Sequence, residues 1–401
     1  MELYRKYLVF VLFFILFIYS CNKKVGVRDG LIEVIDLSNM DFSASLNLSE
    51  IADSIEYVKL ETSDECLISE GAIPFFCDSA IFILDRGGVL LFSRKGEFRR
   101  RFFNVGQGPG EGFARCCALN NKKQELLIYN NFKNTIDWYN CRGQLLSTHK
   151  YNNDEISFVN YISCFQDYVV LNNELLIPDF FSVYNNTLDS VIFSYQNQYK
   201  ITINNPIVLF DSYCVNFQNV YDTVFYFKEK FCDTIFSTKD FVKFIPNYVF
   251  LWDINKKYSF HDNVKYKTLE DLDINKQMKY RIINFSLVNN FLFYRIENTI
   301  NHEYVRHIGV YNKITKKNII LFSEKITNNI DEGVDFIPFN LRYSNHNFYK
   351  NYIYMMLNAN ELRDFVLNNP NLDHTKKMYY FSKDILDDDN PILILIKIKK
   401  C

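Results

Sequence analysis

The chain has 401 residues, enough for one large all-β domain or two ordinary ones. Lys and Arg number 45 against 47 Asp and Glu, a formal net charge of −2 that excludes the basic surplus of a nucleic-acid binder. Aromatic residues make up 17% of the chain, with 38 Phe and 28 Tyr but only 2 Trp, a bias that leans toward strands.

At the amino terminus, Arg5 and Lys6 precede an apolar run from Leu8 to Tyr19. That run is shorter than the roughly 18 residues a membrane-spanning helix needs, and it matches the apolar region of a secretory signal. It ends in Ile18-Tyr19-Ser20-Cys21, which resembles a bacterial lipobox: an aliphatic residue, a spacer, a small residue, then Cys. The resemblance implies that residues 1–20 are a lipoprotein signal peptide. Cys21 is then the lipidated first residue of the mature chain, residues 21–30 are its linker and the membrane is a partner. Acyl chains supply that affinity at about 0.8 kcal/mol per buried CH₂. Asn22-Lys23-Lys24-Val25-Gly26 carries neither an Asp beside Cys21 nor an acidic run. The expectation is an outer-membrane lipoprotein facing the periplasm.

Downstream, residues 31–401 read as one domain of short strands. Leu31–Ile35 is a first strand, and Ile55–Thr62 alternates apolar and polar residues with the period of a half-buried strand. Ala80–Asp85, a break at Arg86-Gly87-Gly88, Val89–Phe92, a turn at Arg94-Lys95-Gly96 and Glu97–Phe103 follow. Then comes Gly106-Gln107-Gly108-Pro109-Gly110-Glu111-Gly112, four Gly and one Pro in seven residues. Gly allows close backbone approach and positive φ, while Pro fixes φ and removes a donor. A phosphate loop would need Lys after the last Gly and a helix beyond it; here Phe113-Ala114-Arg115 follows. The plain reading is a connection between two sheets. The sharper one is a ligand-facing loop, with Arg86, Gln107, Gly108 and Glu111 as candidate binding residues.

After this loop the layout recurs as Glu125–Asn130, a turn, Thr135–Tyr139, a turn at Cys141-Arg142-Gly143 and Gln144–Ser147. Phe92 and Tyr139 lie 47 residues apart, as do Gly96 and Gly143. A looser third copy runs from Ile308 to Phe322. A period in the forties with several strands per unit is a propeller signature, because a small sheet must bury both faces against its neighbours. Six units fill the roughly 370 residues after the linker and leave room for extra elements better than seven do. Val224–Phe225 and Thr234–Phe236, each behind an Asp-Thr or Asp entry, read as adjacent strands of one blade. Lys267–Gln277 reads as a surface helix or loop, Ala359–Leu367 as a helix stopped before Pro370, and Asp387–Pro391 as a turn. Ile392–Ile398 is too apolar for a solvated tail and reads as the strand that closes the ring, with Leu31–Ile35 in the same sheet.

Tyr57–Thr62, the strand–turn–strand through Gly96 with its Gly-rich loop, Asp233–Phe236 and Asn390-Pro391-Ile392-Leu393 together resemble the six-bladed β-propeller lipoproteins of Bacteroidetes. The match spans nearly the whole mature chain. One departure is Gly112 followed by Phe113, where that family commonly places an aromatic residue directly after the Glu. The resemblance implies an all-β, six-bladed β-propeller related to NHL propellers, closed by N- and C-terminal strands, in a family without a settled activity.

The chemistry sought in the sequence is sparse. His302 and His307 are five apart, which aligns on neither a zincin helix nor one strand face. There is no G-x-S-x-G elbow. Ten Cys include no C-x-x-C pair, which argues against a zinc framework; most read as small buried hydrophobes. Asp85, Glu111 and Asp137 are weak candidates for a carboxylate pair, and Arg99-Arg100-Arg101 reads as a solvated strand or, alternatively, a contact for an anionic glycan or lipid head group. The expectation is therefore a non-catalytic binding module for a glycan, peptide or envelope protein, with no metal, cofactor or nucleic acid. The alternative is an envelope polysaccharide hydrolase or lyase using acids on the propeller face.

Overall fold

The computed structural model describes residues 32–108, 111–151, 159–173, 179–196, 216–220, 223–229, 232–253, 255–257, 279–300, 303–339, 348–370, 372–373 and 376–400. The leader, Cys21, the linker and Lys267–Gln277 lie outside them. Strand β1 (Glu33–Leu37), a single helical turn α1 (Leu48–Ile51) and β2 (Ala52–Lys59) come first. Six sheets then form a six-bladed propeller.

Blade one holds β3 (Ile73–Phe76), β4 (Ala80–Asp85), β5 (Gly88–Ser93), β6 (Phe98–Val105) and the two-residue β7 (Glu111–Gly112), which adds parallel to β6. Blade two holds β8 (Ala114–Asn120), β9 (Glu125–Asn130), β10 (Thr135–Asn140) and β11 (Leu145–Lys150). Blade three is β12 (Val159–Phe165), β13 (Tyr168–Asn173), β14 (Asp179–Asn185) and β15 (Val191–Gln196). Blade four is β16 (Asn216–Val220), β17 (Val224–Lys228), β18 (Thr234–Thr238) and β19 (Ile245–Trp252), with β1 added as a parallel fifth strand against β19. Blade five is β20 (Arg281–Val288), β21 (Phe291–Ile300), β22 (Glu303–Asn312) and β23 (Asn318–Ile320). Blade six is β24 (Phe348–Tyr349), β25 (Tyr352–Leu357) and β26 (Ile392–Ile398), with β2 as its outermost strand. Helices α2 (Ala359–Asn368) and α3 (Lys377–Ser382) lie between β25 and β26.

The two recurring glycines mark equivalent turns. Gly96 and Gly143 both have positive φ, +89° and +71°, the conformation in which a Cβ is strained. At Gly96 a Cβ would also meet the backbone carbonyl of Lys59, 1.9 Å away, so this turn lies directly against β2.

The core is made between blades. Ile392, Ile394, Ile396 and Ile398 of β26 face blade five with Phe291, Phe293, Ile308 and Val310. Leu393 and Leu395 face blade one with Ile81, Ile83, Leu90 and Phe92. The terminal strand is thus buried on both sides, as its unbroken apolar run requires.

Ring closure differs from the expectation in one respect. The terminal strand does pair with an N-terminal strand, but with Ala52–Lys59, antiparallel from Ala52↔Ile398 to Lys59↔Ile392. The first strand, Glu33–Leu37, lies in blade four instead, with Glu33 opposite Tyr248 and Leu37 opposite Trp252. The physical reason is length and facing. Five residues with only Ile35 and Leu37 buried cover one side of a blade edge, whereas β2 matches β26 along its whole length.

Apart from the added parallel strands β1 and β7, blades one to five are antiparallel meanders of four strands, and β2 gives blade six the same pattern, so the chain leaves a blade at the end where it entered. All blade-to-blade connections therefore lie at one end of the propeller, the crossover end, together with the turn between the second and third strands. The other two turns of each blade lie at the opposite, turn end.

Candidate functional site

The turn end is tightly interlocked. A disulfide joins Cys77 in blade one to Cys141 in blade two, with Cα atoms 6.2 Å apart. The Asp78 N–H donates to Gln124 Oε1 (2.8 Å), the Asn120 amide to the Gln166 carbonyl (3.3 Å), and Asn289 Nδ2 to the Ile398 carbonyl (2.8 Å). These contacts run from blade to blade.

The crossover end carries the long connections and a buried charged cluster. All four candidate binding residues belong to it. Arg86 is exposed at the β4–β5 turn with φ 46°. Its neighbour Gly87 (φ +82°) presses on Phe113, since a Cβ there would stand 2.5 Å from the ring, and the Gly87 carbonyl accepts the Ala114 N–H (2.8 Å). The Arg86 turn and the Gly-rich loop are therefore packed together. Gln107 is exposed. The Gly108 N–H donates to Glu111 Oε2 (2.9 Å), and the Glu111 N–H donates back to the Gly108 carbonyl (3.1 Å). Glu111 thus holds its own loop shut with one carboxylate oxygen. A Cβ on Gly106 would meet that oxygen, and one on Gly112 would meet Asn130 Nδ2 at 2.5 Å. Close packing thus accounts for Gly106 and Gly112.

A second cluster lies in blades four and five. Glu297, 5% exposed, takes Arg281 Nη2 on Oε1 (2.6 Å) and Arg306 Nε on Oε2 (3.0 Å). The three residues sit side by side across β20, β21 and β22. On the same face of β21, buried Arg295 pairs with Glu324 (2.8 Å) and lies 5.3 Å over the Phe339 ring. Lys228, at 1% exposure, donates to the carbonyls of Glu229 and Ile282, both at 3.1 Å, and so ties blade four to blade five. The Tyr195 hydroxyl reaches Glu229 from blade three (2.9 Å). Sequence reasoning passed over this cluster. Its signal was present: Arg295 and Glu297 interrupt the run Phe291-Leu292-Phe293-Tyr294 at the period of one strand face, and Lys228 ends Phe225-Tyr226-Phe227.

The weaker candidates do not converge. Asp85 is buried and accepts the Ser69 N–H (3.3 Å), while Asp137 is buried within β10. Arg100 donates to the carbonyls of Arg142 (3.2 Å) and Gly143, linking blade one to blade two, and Arg99 pairs with Glu97. His307 is buried; burial pushes its pKa down, and hydrogen bonds to the Leu321 and Phe322 carbonyls only partly offset this. Burial raises the Cys116 thiol to about 12 and the Cys117 thiol well above its usual range, which makes poor nucleophiles of both. Among the described residues no group of three or more His, Cys, Asp or Glu could hold a metal ion.

What these features define is a class: a closed six-bladed β-propeller with one interlocked end and one elaborated end. The chain belongs to the family described as a domain of unknown function (DUF4934), whose model matches residues 32–397. Its fold is similar to that of a Bacteroides fragilis protein named as an exported protein, at 18% identity over 92% of this chain and 100% of that one, with a TM-score of 0.67. It is also similar to a member of the duf4221 family from Bacteroides vulgatus, at 10% identity over 87% of this chain and 97% of that one, with a TM-score of 0.48. No functionally curated protein matches this chain.

Proposed function

We propose that this protein is an NHL-related propeller anchored in the cell envelope through a lipid on Cys21, and that its crossover end binds a glycan, peptide or partner protein without catalysis. The observation that carries the binding reading is the asymmetry of the two ends. Short turns seal one, while the other bears the Gly-rich loop, Arg86, Gln107 and the charged cluster. The non-catalytic reading is supported by how the charges are used: Glu111 closes its own loop, and Glu297 is shared between two guanidiniums.

Envelope location has three supports. The leader ends in Ile18-Tyr19-Ser20-Cys21, the Cys77–Cys141 disulfide suits an oxidising compartment, and the Bacteroides fragilis relative is named as exported. Within the envelope, the residues after Cys21 favour the outer membrane, facing the periplasm.

The test is a glycan and peptide binding screen on soluble residues 22–401, with product analysis in the same samples. Saturable binding that Arg86→Ala or Gln107→Ala weakens, with the ligand recovered intact, is expected. A new product would overturn the non-catalytic reading in favour of a polysaccharide hydrolase or lyase. For the anchor, Cys21→Ala should abolish fatty-acid labelling and leave the precursor uncleaved; normal labelling of that variant would sink it.

A further inference from the structure

We infer that the turn end is the face this protein lays against an anionic lipid surface, leaving the crossover end and its ligands pointing away. The inference extends the envelope reading above and uses three independent features.

The first is where the chain emerges. Strand β1 runs parallel to β19, which climbs from the turn end toward the crossover end, so Glu33 marks the turn end. Its carboxylate is held there by Lys316 of the β22–β23 turn. The second is reach. Eleven residues lie between Cys21 and Glu33, at most about 40 Å of extended chain. A lipid on Cys21 therefore keeps the turn end within that distance of the bilayer.

The third is charge. Lys95, Lys122, Arg142, Lys239, Lys243 and Lys317 are exposed on turns of this end, and none is ion-paired among the described residues. Of the acids on the same turns, Asp78 pairs with Lys350 (2.8 Å), Asp167 with Lys123 (2.9 Å) and Glu97 with Arg99 (3.0 Å). Asp189 and Asp240 are exposed and hydrogen-bonded within their own turns, and offset two of the six cations. The end thus has a basic surplus in a chain whose net charge is −2. The balancing acids lie at the crossover end, where Glu361, Asp364, Asp384, Asp387 and Asp388 are exposed around α2 and α3. A basic face beside one lipid anchor supplies the second signal that stable membrane attachment needs.

All six blades and the closing strand lie within 33–398, so residues 22–401 contain the whole propeller and can be tested without the anchor. Sedimentation with vesicles of phosphatidylcholine containing 30% phosphatidylglycerol should recover the protein, whereas pure phosphatidylcholine vesicles should not. Binding should fall about tenfold or more in 0.5 M salt, as screening of surface charge demands. The combined variant Lys95→Glu, Lys122→Glu, Lys239→Glu, Lys317→Glu should lose about as much. A control with the same charge change at the crossover end, Lys133→Glu, Lys256→Glu, Lys377→Glu, Lys383→Glu, should lose far less. Equal recovery on the two vesicle types, or equal losses in the two variants, overturns the inference. So does tighter, competing binding of a soluble anionic polysaccharide, which would assign the face to acidic glycans. Should the turn-end variant not fold, the salt and lipid dependence of the unmodified protein decides. Because no lipid is attached in this experiment, its failure leaves the Cys21 labelling result standing by itself.

Discussion

The two ends of the propeller are built from the same strands and solve different problems. At the turn end, short turns reach neighbouring blades through hydrogen bonds and, between Cys77 and Cys141, a covalent bond. At the crossover end, connections lengthen toward the carboxyl half, and polar side chains replace backbone-to-backbone economy: Lys228, Arg281, Arg295, Glu297 and Arg306 sit between blades where the other end has Phe291 and Phe293. A closed ring of blades can hold such charges only because the rest of each interface is apolar. The turn end is held by links between short turns, and the crossover end by buried charges that satisfy one another across blades.

The largest test of that division removes the strand on which both ends depend. Deleting residues 391–401 takes away β26, which bonds to β2 and β25 and packs on blades one and five. Each of its six buried Ile and Leu side chains contributes about 1.5–3 kcal/mol, so their sum is as large as a typical total stability of about 5–15 kcal/mol. The truncated chain is expected to lack a cooperative thermal transition. A truncation that melts within a degree or so of the full chain would show that closure does not rest on this strand.

Next in size is the charged cluster of the elaborated end. Glu297→Ala removes the one carboxylate shared by Arg281 and Arg306, two of three groups in a nearly dry site. Breaking a buried pair by deleting one partner costs about 3–5 kcal/mol. Arg306, with its side chain 35% exposed, keeps some water, so the lower figure is expected in urea unfolding. A loss below about 1 kcal/mol would place this cluster among ordinary surface ion pairs.

The interlocked end is probed by Cys77→Ser. The disulfide closes a loop of 64 residues, which chain entropy values at about 4 kcal/mol, with measured cases commonly about 2–4. Wild type in reductant should unfold at the variant's denaturant midpoint, and the variant should ignore reductant. If reductant leaves the wild-type midpoint unchanged, the covalent link contributes nothing.

How much of this was readable beforehand depends on whether a feature is local. Phe92 and Tyr139, Gly96 and Gly143 repeat because equivalent strands and turns impose equivalent demands, so blade layout could be read from spacing. The helix at Ala359–Asn368 announced itself by composition and the Pro370 that follows. Pairing over long distances left no such trace. Nothing in Glu33–Leu37 specifies Ile245–Trp252 as its partner, and Ile392–Ile398 would accept either N-terminal strand by hydrophobicity alone. Cys77 and Cys141 carry no spacing signal, since their meeting follows from adjacent blades. The cluster around Glu297 was invisible for the opposite reason: reading strands by their apolar residues discounts the charges within them, although Arg295 and Glu297 share the face of Phe293. Of the candidate binding residues, the glycines could be read as a tight turn, but that Glu111 would close the loop from inside could not.

The smallest effect comes from comparing one glycine from each end. Both are crowded, but by different neighbours. At Gly96 a Cβ would face the Lys59 carbonyl at 1.9 Å, and φ is +89°. Neither the backbone of β2 nor the turn can yield cheaply, so Gly96→Ala carries both a steric and a conformational penalty, of order 1–3 kcal/mol. At Gly106 the clash is with Glu111 Oε2, the free end of a flexible side chain. Swinging that carboxylate away forfeits its hydrogen bond from Gly108 (2.9 Å), an interaction worth about 0.5–1.5 kcal/mol in net terms, and the exposed loop can take up water instead. Gly106→Ala should therefore cost well under half of what Gly96→Ala costs in the same unfolding assay. It should also loosen the loop, which protease nicking between residues 105 and 112 would report. Equal costs at the two positions would mean that the Gly-rich loop is as rigidly built as the β5–β6 turn, and the contrast between a sealed end and an adaptable one would then have to be abandoned for blade one.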